Sequence, residues 1–355
     1  MNTSRAARHP EPSGAALSHA YWTDVVAPLL EKHLPGLRYA AARLGSGSEV
    51  LGLDDDQSQD HDWGLRLTLL VEDGAHEVDA LLERELPNSW RGRPTRFATT
   101  WEPVVRQRCE TATARDFALS RLGVDTSGEL PTTDWLSLTG QAVLEVTGGP
   151  VFHDGTGRIT AIRDRLQWYP HDLWLYAVDA DWSRLGEELP FVGRAGLRGD
   201  EAGSMVIAAR LVSTMMHLAH VIHRAWPPYS KWLGTSSSVL LEHSPLPGAD
   251  DVRRAWRTVL TAPYWRQRQD AMSTAAEALA TMQGAAGLPT ITPATEPFWG
   301  RPHHGVREQM SATLRAAITD PVVAALPAGH GTAEQITDNV RVLVDATSRR
   351  RLVER

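Results

Sequence analysis

Cysteine is nearly missing from this chain of 355 residues: Cys109 is the only one. A lone thiol excludes an intrachain disulfide and a cysteine-based zinc site, and it suits a reducing cytoplasm. Basic runs are scarce as well. Apart from Arg349-Arg350-Arg351 no Lys/Arg cluster stands out, and the net charge is −7 with a pI of about 6.1. That balance argues against broad nucleic-acid binding. The longest apolar stretch, residues 203–222 (GSMVIAARLVSTMMHLAHVI), is interrupted by Arg210, His217 and His220. It reads as a buried helix of a soluble protein rather than a membrane span. The opening MNTSRAARHPEPSG has no apolar core, so no signal peptide is expected and the expected location is cytoplasmic. P-loop, dinucleotide, Gly-x-Ser-x-Gly and His-Glu-x-x-His signatures are absent, and there is no internal repeat or low-complexity tract.

What is present is an ordinary globular composition, with 42% hydrophobic and 22% charged residues and thirteen tryptophans, read as core packing. The length suits about two domains. Residues 1–15 read as a loose tail, 16–130 as a mixed α/β domain and 131–355 as a mostly helical domain, so the fold class expected is α+β. Helical spacing of Tyr21, Trp22, Val25, Val26, Leu29 and Leu30 predicts a helix over 18–34, kinked at Pro28. A strand is predicted over 37–44, a helix over 75–86, a strand over 104–113 and a helix over 114–122. Beyond Thr133 helices are predicted over 136–146, 174–185, 200–226, 252–282 and 304–326, with Gly/Pro-rich breaks at 148–157, 226–229, 244–249 and 284–302.

The most informative text is LGSGSEVLGLDDDQSQDHDWGLRLTLL, residues 44–70. Residues 60–71 alternate. His61, Trp63, Leu65, Leu67, Leu69 and Val71 take one parity, while Asp60, Asp62, Gly64, Arg66 and Thr68 take the other. Period two predicts a strand with both aspartates on its polar face. Carboxylates at i and i+2 on a strand have Cα atoms about 6.5–7 Å apart. Their mutual repulsion is relieved by a divalent cation, and Mg²⁺ suits hard carboxylate oxygens together with substrate phosphates. The preceding Gly45-Ser46-Gly47-Ser48 turn lets backbone N–H groups approach a phosphate closely. A phosphate cradle followed by an aspartate pair describes a nucleotidyl-transfer site.

Gly47-Ser48, a spacer of eleven residues and Asp60-His61-Asp62 resemble the signature of the nucleotidyltransferase superfamily, which includes polymerase-β-like and aminoglycoside-nucleotidyltransferase-like enzymes. Gly45-Ser46, with a spacer of thirteen, is the other register. The text S-x-D-H-D-W-G (Ser58 to Gly64) is closer still to an uncharacterised bacterial family that joins such a domain to a helical C-terminal domain of unknown function. EVTGGPVFHDG (145–155), YPHDLWLY (169–176), FVGRAG (191–196), IAARL (207–211) and PPYSKWLG (227–234) carry the same resemblance. It spans most of residues 40–330 and implies a third carboxylate on a later strand, for which Glu110 is the candidate, with Glu102 and Asp79 as rivals.

Other residues have plainer readings. Asp54-Asp55-Asp56 reads as a charged turn and Cys109 as a small buried residue. His61 falls on the apolar parity and reads as structural. His217, His220 and His223 cannot all share one helix face and also read as structural. Lys231, Tyr229, Arg194 and Arg210 are candidates to reach a triphosphate. Arg210, within an apolar helix, needs a partner, with Glu201 or Asp200 the nearest choices.

Taken with the resemblance, these residues lead to one expected function. Mg²⁺ with ATP or another NTP binds between the domains, held by Asp60, Asp62 and Glu110 and gripped by Gly45, Ser46, Gly47 and Ser48. The nucleoside monophosphate then passes to a small-molecule acceptor as pyrophosphate leaves. The alternatives are an inactive nucleotide-binding regulatory module and an antitoxin-like enzyme that modifies a partner protein.

Overall fold

The computed structural model describes residues 13–58 and 62–354; Asp60 and His61 lie outside the described residues. The chain divides into two compact units. The first takes residues up to 129 together with 142–167, and the second takes 130–141 together with 168 onward.

The first unit is built on a four-stranded mixed sheet. Its strands are β1 (Tyr39–Ala42), β2 (Leu67–Val71), β7 (Cys109–Thr113) and β8 (Val151–Asp154), in the order β7-β2-β1-β8. Between β2 and β7 lie two short ladders, β3 (Ser89–Trp90) with β4 (Arg93–Pro94), and β5 (Arg96–Phe97) with β6 (Arg106–Gln107). β1 runs antiparallel to β2 and β8, while β2 runs parallel to β7. Every residue of β2 is buried, which is what a central strand covered on both faces requires. One face carries Ala41, Leu67, Leu69, Val71 and Cys109 into a core with Leu17, Tyr21, Val26, Leu30, Val78, Leu81 and Leu82. The helices supplying that cover are α1 (Gly14–Tyr21), α2 (Ala27–His33) and α3 (Ala75–Glu85). On the sheet's flank α4 (Ala114–Leu122) packs against β2 and β7. The C-terminal part of α6 (Gly140–Thr147) and all of α7 (Arg158–Arg165) complete the unit.

The helix predicted over 18–34 opens earlier, at Gly14, where Ser13 Oγ accepts the Ala16 N–H at 3.2 Å. Rather than a sharp kink, its middle turn, Trp22–Val26, widens, so that the Ala27 N–H reaches Trp22 O. Pro28, which has no N–H and crowds the carbonyl four residues back, follows directly. Residues 151–154, expected to be a Gly/Pro-rich break, are the edge strand β8.

The second unit is helical. α5 (Thr132–Ser137) precedes a hairpin of two long helices, α8 (His171–Leu197) and α9 (Glu201–Ile222). α10 (Ser230–Glu242), α11 (Ala249–Thr261) and α12 (Trp265–Ala285) follow. Buried polar bonds tie them together: Trp174 Nε1 donates to Val221 O at 2.7 Å and Trp182 Nε1 to Gln283 Oε1 at 2.5 Å. The single helix predicted over 252–282 is two, because Pro263 in the connection cannot donate to a helical ladder. The span 304–326 is mixed. β10 (His304–Val306) pairs with β9 (Thr295–Pro297), and α13 (Gln309–Ala316) and α14 (Pro321–Ala324) come next. α15 (Ala333–Ile336), α16 (Val340–Val344) and α17 (Ala346–Val353) end the chain. Among the described residues α9 is the one helix long and apolar enough to cross a membrane, and 56% of its apolar window is buried inside the structure.

Candidate functional site

Topology brings three chain segments to one end of the first unit's sheet. Because β1 is antiparallel to β2 and β2 parallel to β7, the end of β1 meets the beginnings of β2 and β7. Ala42, Thr68 and Glu110 stand in one row across these strands. The Gly45–Ser48 turn leaves from this end, and Asp62 precedes the strand that starts there. A register shift between Ala41 and Ala42 on the β8 side marks the point where β1 gives way to the turn.

The turn is clamped from within. Arg43 is almost wholly buried, and its Nε and Nη2 donate to Glu49 Oε1 at 3.0 and 2.6 Å. Its Nη2 also donates to Ser46 O at 2.6 Å, and its Nη1 to Leu44 O. The Leu44 N–H donates to Thr68 Oγ1 at 3.2 Å, tying the turn to β2. Gly47 has φ +137°, and a Cβ there would fall 2.4 Å from Glu49 Oε2, so glycine is required for the turn to close over the ion pair. From the other side the Gly45 N–H donates to Glu145 O at 2.7 Å and the Arg43 N–H to Pro150 O at 3.0 Å. Gly149 lies so close that a Cβ would stand 1.8 Å from Arg43 O.

Arg66 is the cation facing this turn. Its Nη2 donates to Ser46 Oγ at 3.2 Å, its Nη1 lies 3.8 Å from Glu49 Oε1, and its guanidinium sits 5.2 Å from the centre of the exposed Trp101 ring. Burial and the neighbouring Arg43 pull the guanidinium down to about 9, against Glu49 and Glu110, which raise it. It therefore stays charged at neutral pH. The same balance shows that Arg43, Glu49, Arg66, Glu110 and Arg121 form one electrostatic cluster around the Gly-Ser turn.

The acids are arranged differently from the sequence expectation. β2 begins only at Leu67. Before it the Arg66 N–H bonds back to Gly64 O, closing a turn. Asp62 is thus ahead of the strand, not on its polar face, and its carboxylate accepts the Thr100 N–H and hydroxyl, each at 2.6 Å. Glu110 lies on β7, and both of its oxygens accept from Arg121 Nη2 at 2.6 Å. The Arg121 Nε is 3.6 Å from Glu145 Oε2. The rivals are engaged away from the turn: Glu102 pairs with Arg108 at 2.7 Å and Asp79 with Arg106 at 2.9 Å. Among the described residues no three His, Cys, Asp or Glu side chains gather as a metal would need. Asp62 and Glu110 have the oxygen chemistry that magnesium prefers, but Asp62 is bonded to Thr100 and the charge of Glu110 is offset by Arg121.

Neighbouring groups keep their plain roles. Burial, reinforced by Asp79, pushes the Cys109 thiol up to about 12, too high for a nucleophile. Asp54 accepts the Gly14 N–H at 2.7 Å, and Asp55 caps its own turn at Gln57 and Ser58.

The remaining candidates belong to the second unit. Arg194 is exposed on α8. Arg210 pairs with Glu188 of α8, not with Glu201 or Asp200. Glu201 instead takes Arg268, and Asp200 caps α9 by accepting the Gly203 N–H at 2.7 Å. The Tyr229 N–H donates to Gln141 Oε1 at 3.4 Å, and Lys231 Nζ lies 5.0 Å from the Trp232 ring centre. The histidines of α9 serve the core. His217 Nδ1 lies 2.7 Å from Asp181 Oδ2 and its Nε2 3.5 Å from Glu334 Oε1. Burial opposes its charge, but the two carboxylates overcome burial and push it up to about 10. His220, bonded to Met216 O and Ser236 Oγ at 2.9 Å each, is pulled down to about 4 by burial. His223 bonds to Ala219 O at 2.6 Å and Ser244 Oγ at 2.7 Å.

Sequence reasoning missed Arg43, Glu49, Arg66, Arg121 and Glu145. A usable signal was an arginine in each of the two predicted strands that flank the Gly-Ser turn, Arg43 and Arg66. Nothing local links Arg121 to Glu110.

Comparison with known proteins adds three findings. A family model described as a domain of unknown function, DUF4037, matches residues 135–233. No curated protein matches the chain. The chain is similar to the crystal structure of a nucleotidyltransferase-like protein from Exiguobacterium sibiricum 255-15, at 11% identity and a TM-score of 0.32, over 77% of this chain and 78% of that one.

Proposed function

We propose that the end of the sheet where the Gly45–Ser48 turn meets Glu110 binds a nucleoside triphosphate, and that the protein transfers the nucleoside monophosphate to a small-molecule acceptor. The observation that supports this most is the gathering of a glycine-lined turn, the cation Arg66 and the carboxylate Glu110 at one sheet end, which is also the end where the segment after Asp60 and Asp62 enters. Backbone N–H groups of the turn and the hydroxyls of Ser46 and Ser48 would orient the polyphosphate. Arg66 would offset its charge from a partly buried position, where a guanidinium acts more strongly than in water. Asp60, Asp62 and Glu110 are the residues that would hold magnesium, which when bound supplies charge neutralisation on the phosphates. An acceptor oxygen or nitrogen forms the new bond to the α-phosphorus. The bond to the bridging α–β oxygen breaks, pyrophosphate leaves with that electron pair, and the proton of an attacking hydroxyl or amine passes to solvent.

The test is a screen of α-labelled NTPs over amino acids, sugars and aminoglycosides, reading adduct mass and pyrophosphate release. The reading expects metal-dependent release that falls by about 100-fold or more in Asp60→Asn with Asp62→Asn. Release that survives this double substitution would overturn it. The second reading, a nucleotide-binding module without turnover, is favoured by the two-point hold of Arg121 on Glu110. Tight binding with no release on any acceptor would support it.

A further inference from the structure

Trp101 is 57% exposed, yet the loop that carries it is closely held. Thr99 and Glu102 exchange both backbone bonds, the Thr99 N–H donating to Glu102 O at 2.9 Å and the Glu102 N–H to Thr99 O at 3.2 Å. Thr100 and Trp101 are therefore the tip of a closed two-residue turn. Asp62 grips that tip, accepting the Thr100 N–H and hydroxyl at 2.6 Å each. Arg108, with only 9% of its side chain exposed, donates to Phe97 O at 2.8 Å, Glu102 O at 3.1 Å, Val104 O at 2.7 Å and Glu102 Oε2 at 2.7 Å. The loop is thus ordered in advance, and a ligand that meets the ring has less ordering entropy to offset.

The ring stands beside the Gly-Ser turn. The Arg66 guanidinium lies 5.2 Å from its centre, and Arg66 Nη2 donates to Ser46 Oγ at 3.2 Å. A single guanidinium therefore separates the turn from an open aromatic surface, a span within the length of a nucleoside triphosphate. We propose that Trp101 is the platform on which the nucleobase stacks while the phosphates lie at the Gly45–Ser48 turn, with Arg66 between the two. The inference rests on the nucleotide reading of that turn and adds to it where the base goes. Stacking tolerates base identity, because every base has a π-face, so the platform serves nucleoside triphosphates as a class.

The test uses the full chain, calorimetric titration and two probes: the α,β-methylene analogue of ATP, and inorganic tripolyphosphate, which has no base. Trp101→Ala is expected to bind the analogue roughly tenfold or more weakly than the wild type, the scale of one base stacked on an aromatic ring, and to bind tripolyphosphate as the wild type does. Trp101→Phe, which keeps a π-face, is expected to retain most of the affinity for the analogue. Trp101→Leu, apolar but without a π-face, should lose it as Trp101→Ala does, and carries the comparison if Trp101→Ala does not fold. Unchanged affinity for the analogue in Trp101→Ala would overturn the inference and leave the nucleotide reading standing. So would an equal loss for both probes, since the ring would then serve only to cover Arg66. Failure of the wild type to bind either probe would overturn both.

Discussion

Arg43 and Glu49 face each other at 2.6 Å, with 2% and 6% of their side chains exposed. An ion pair so placed contributes little net stability, because desolvation offsets the attraction. What it does is fix a conformation: Arg43 holds Leu44 O and Ser46 O as well, so the shape of the Gly-Ser turn depends on it. Two histidines on α9 titrate in opposite senses, one governed by its carboxylate partners and the other by burial. His217, pushed up to about 10 by Asp181 and Glu334 against its burial, binds a proton more tightly folded than unfolded. Its stabilising effect is complete below about pH 6.5 and is lost as pH rises toward 10. His220, pulled down to about 4 by burial, works in the opposite sense: its effect is complete above about pH 6.5 and is lost as pH falls toward 4. Denaturant titrations from pH 4 to 10 are therefore expected to show a maximum near pH 6–7. His217→Gln should flatten the alkaline limb and His220→Gln the acidic limb. A wild-type profile without an alkaline loss, or one unchanged by His217→Gln, would contradict the assignment.

At the scale of elements, the turn depends on close approach from the 148–150 segment. Gly149→Ala would place a Cβ 1.8 Å from Arg43 O, so backbone must shift. The expected cost is about 2 kcal/mol or more in denaturant unfolding, with loss of nucleotide binding at the turn; unchanged stability and binding would show that the contact is slack. Elements with strong local signals were legible in the sequence. α4 opens at Ala114 behind Thr113, whose hydroxyl accepts the Asp116 N–H, and closes at Gly123. α3 stops ahead of Pro87. The strand β2 was legible in kind but not in extent. Alternation from residue 60 counts side chains, and it is blind to the turn that Arg66 makes back to Gly64. β8 was missed because a four-residue edge strand beside Gly148-Gly149-Pro150 gains its identity only by pairing with β1. The Gly-Ser turn and Glu110 were legible as separate candidates. Arg121 was not, since its hold on Glu110 requires β7 and the far end of α4 to fold back on each other.

The whole molecule has an α+β first unit drawn from two separate stretches of chain and a helical second unit centred on α8, α9, α11 and α12. Within the first unit Arg43, Arg66 and Arg121 converge with Glu49, Glu110 and Glu145 on a short glycine-rich turn, so charge is balanced within this group and three guanidiniums stand beside the turn. That arrangement is the basis for placing an anionic ligand there. The most direct measurement is backbone hydrogen exchange of the full chain with and without Mg²⁺ and the α,β-methylene analogue of ATP. The account expects slowed exchange concentrated in residues 43–50 and 108–112. Binding of the analogue with exchange unchanged in those two segments would contradict it.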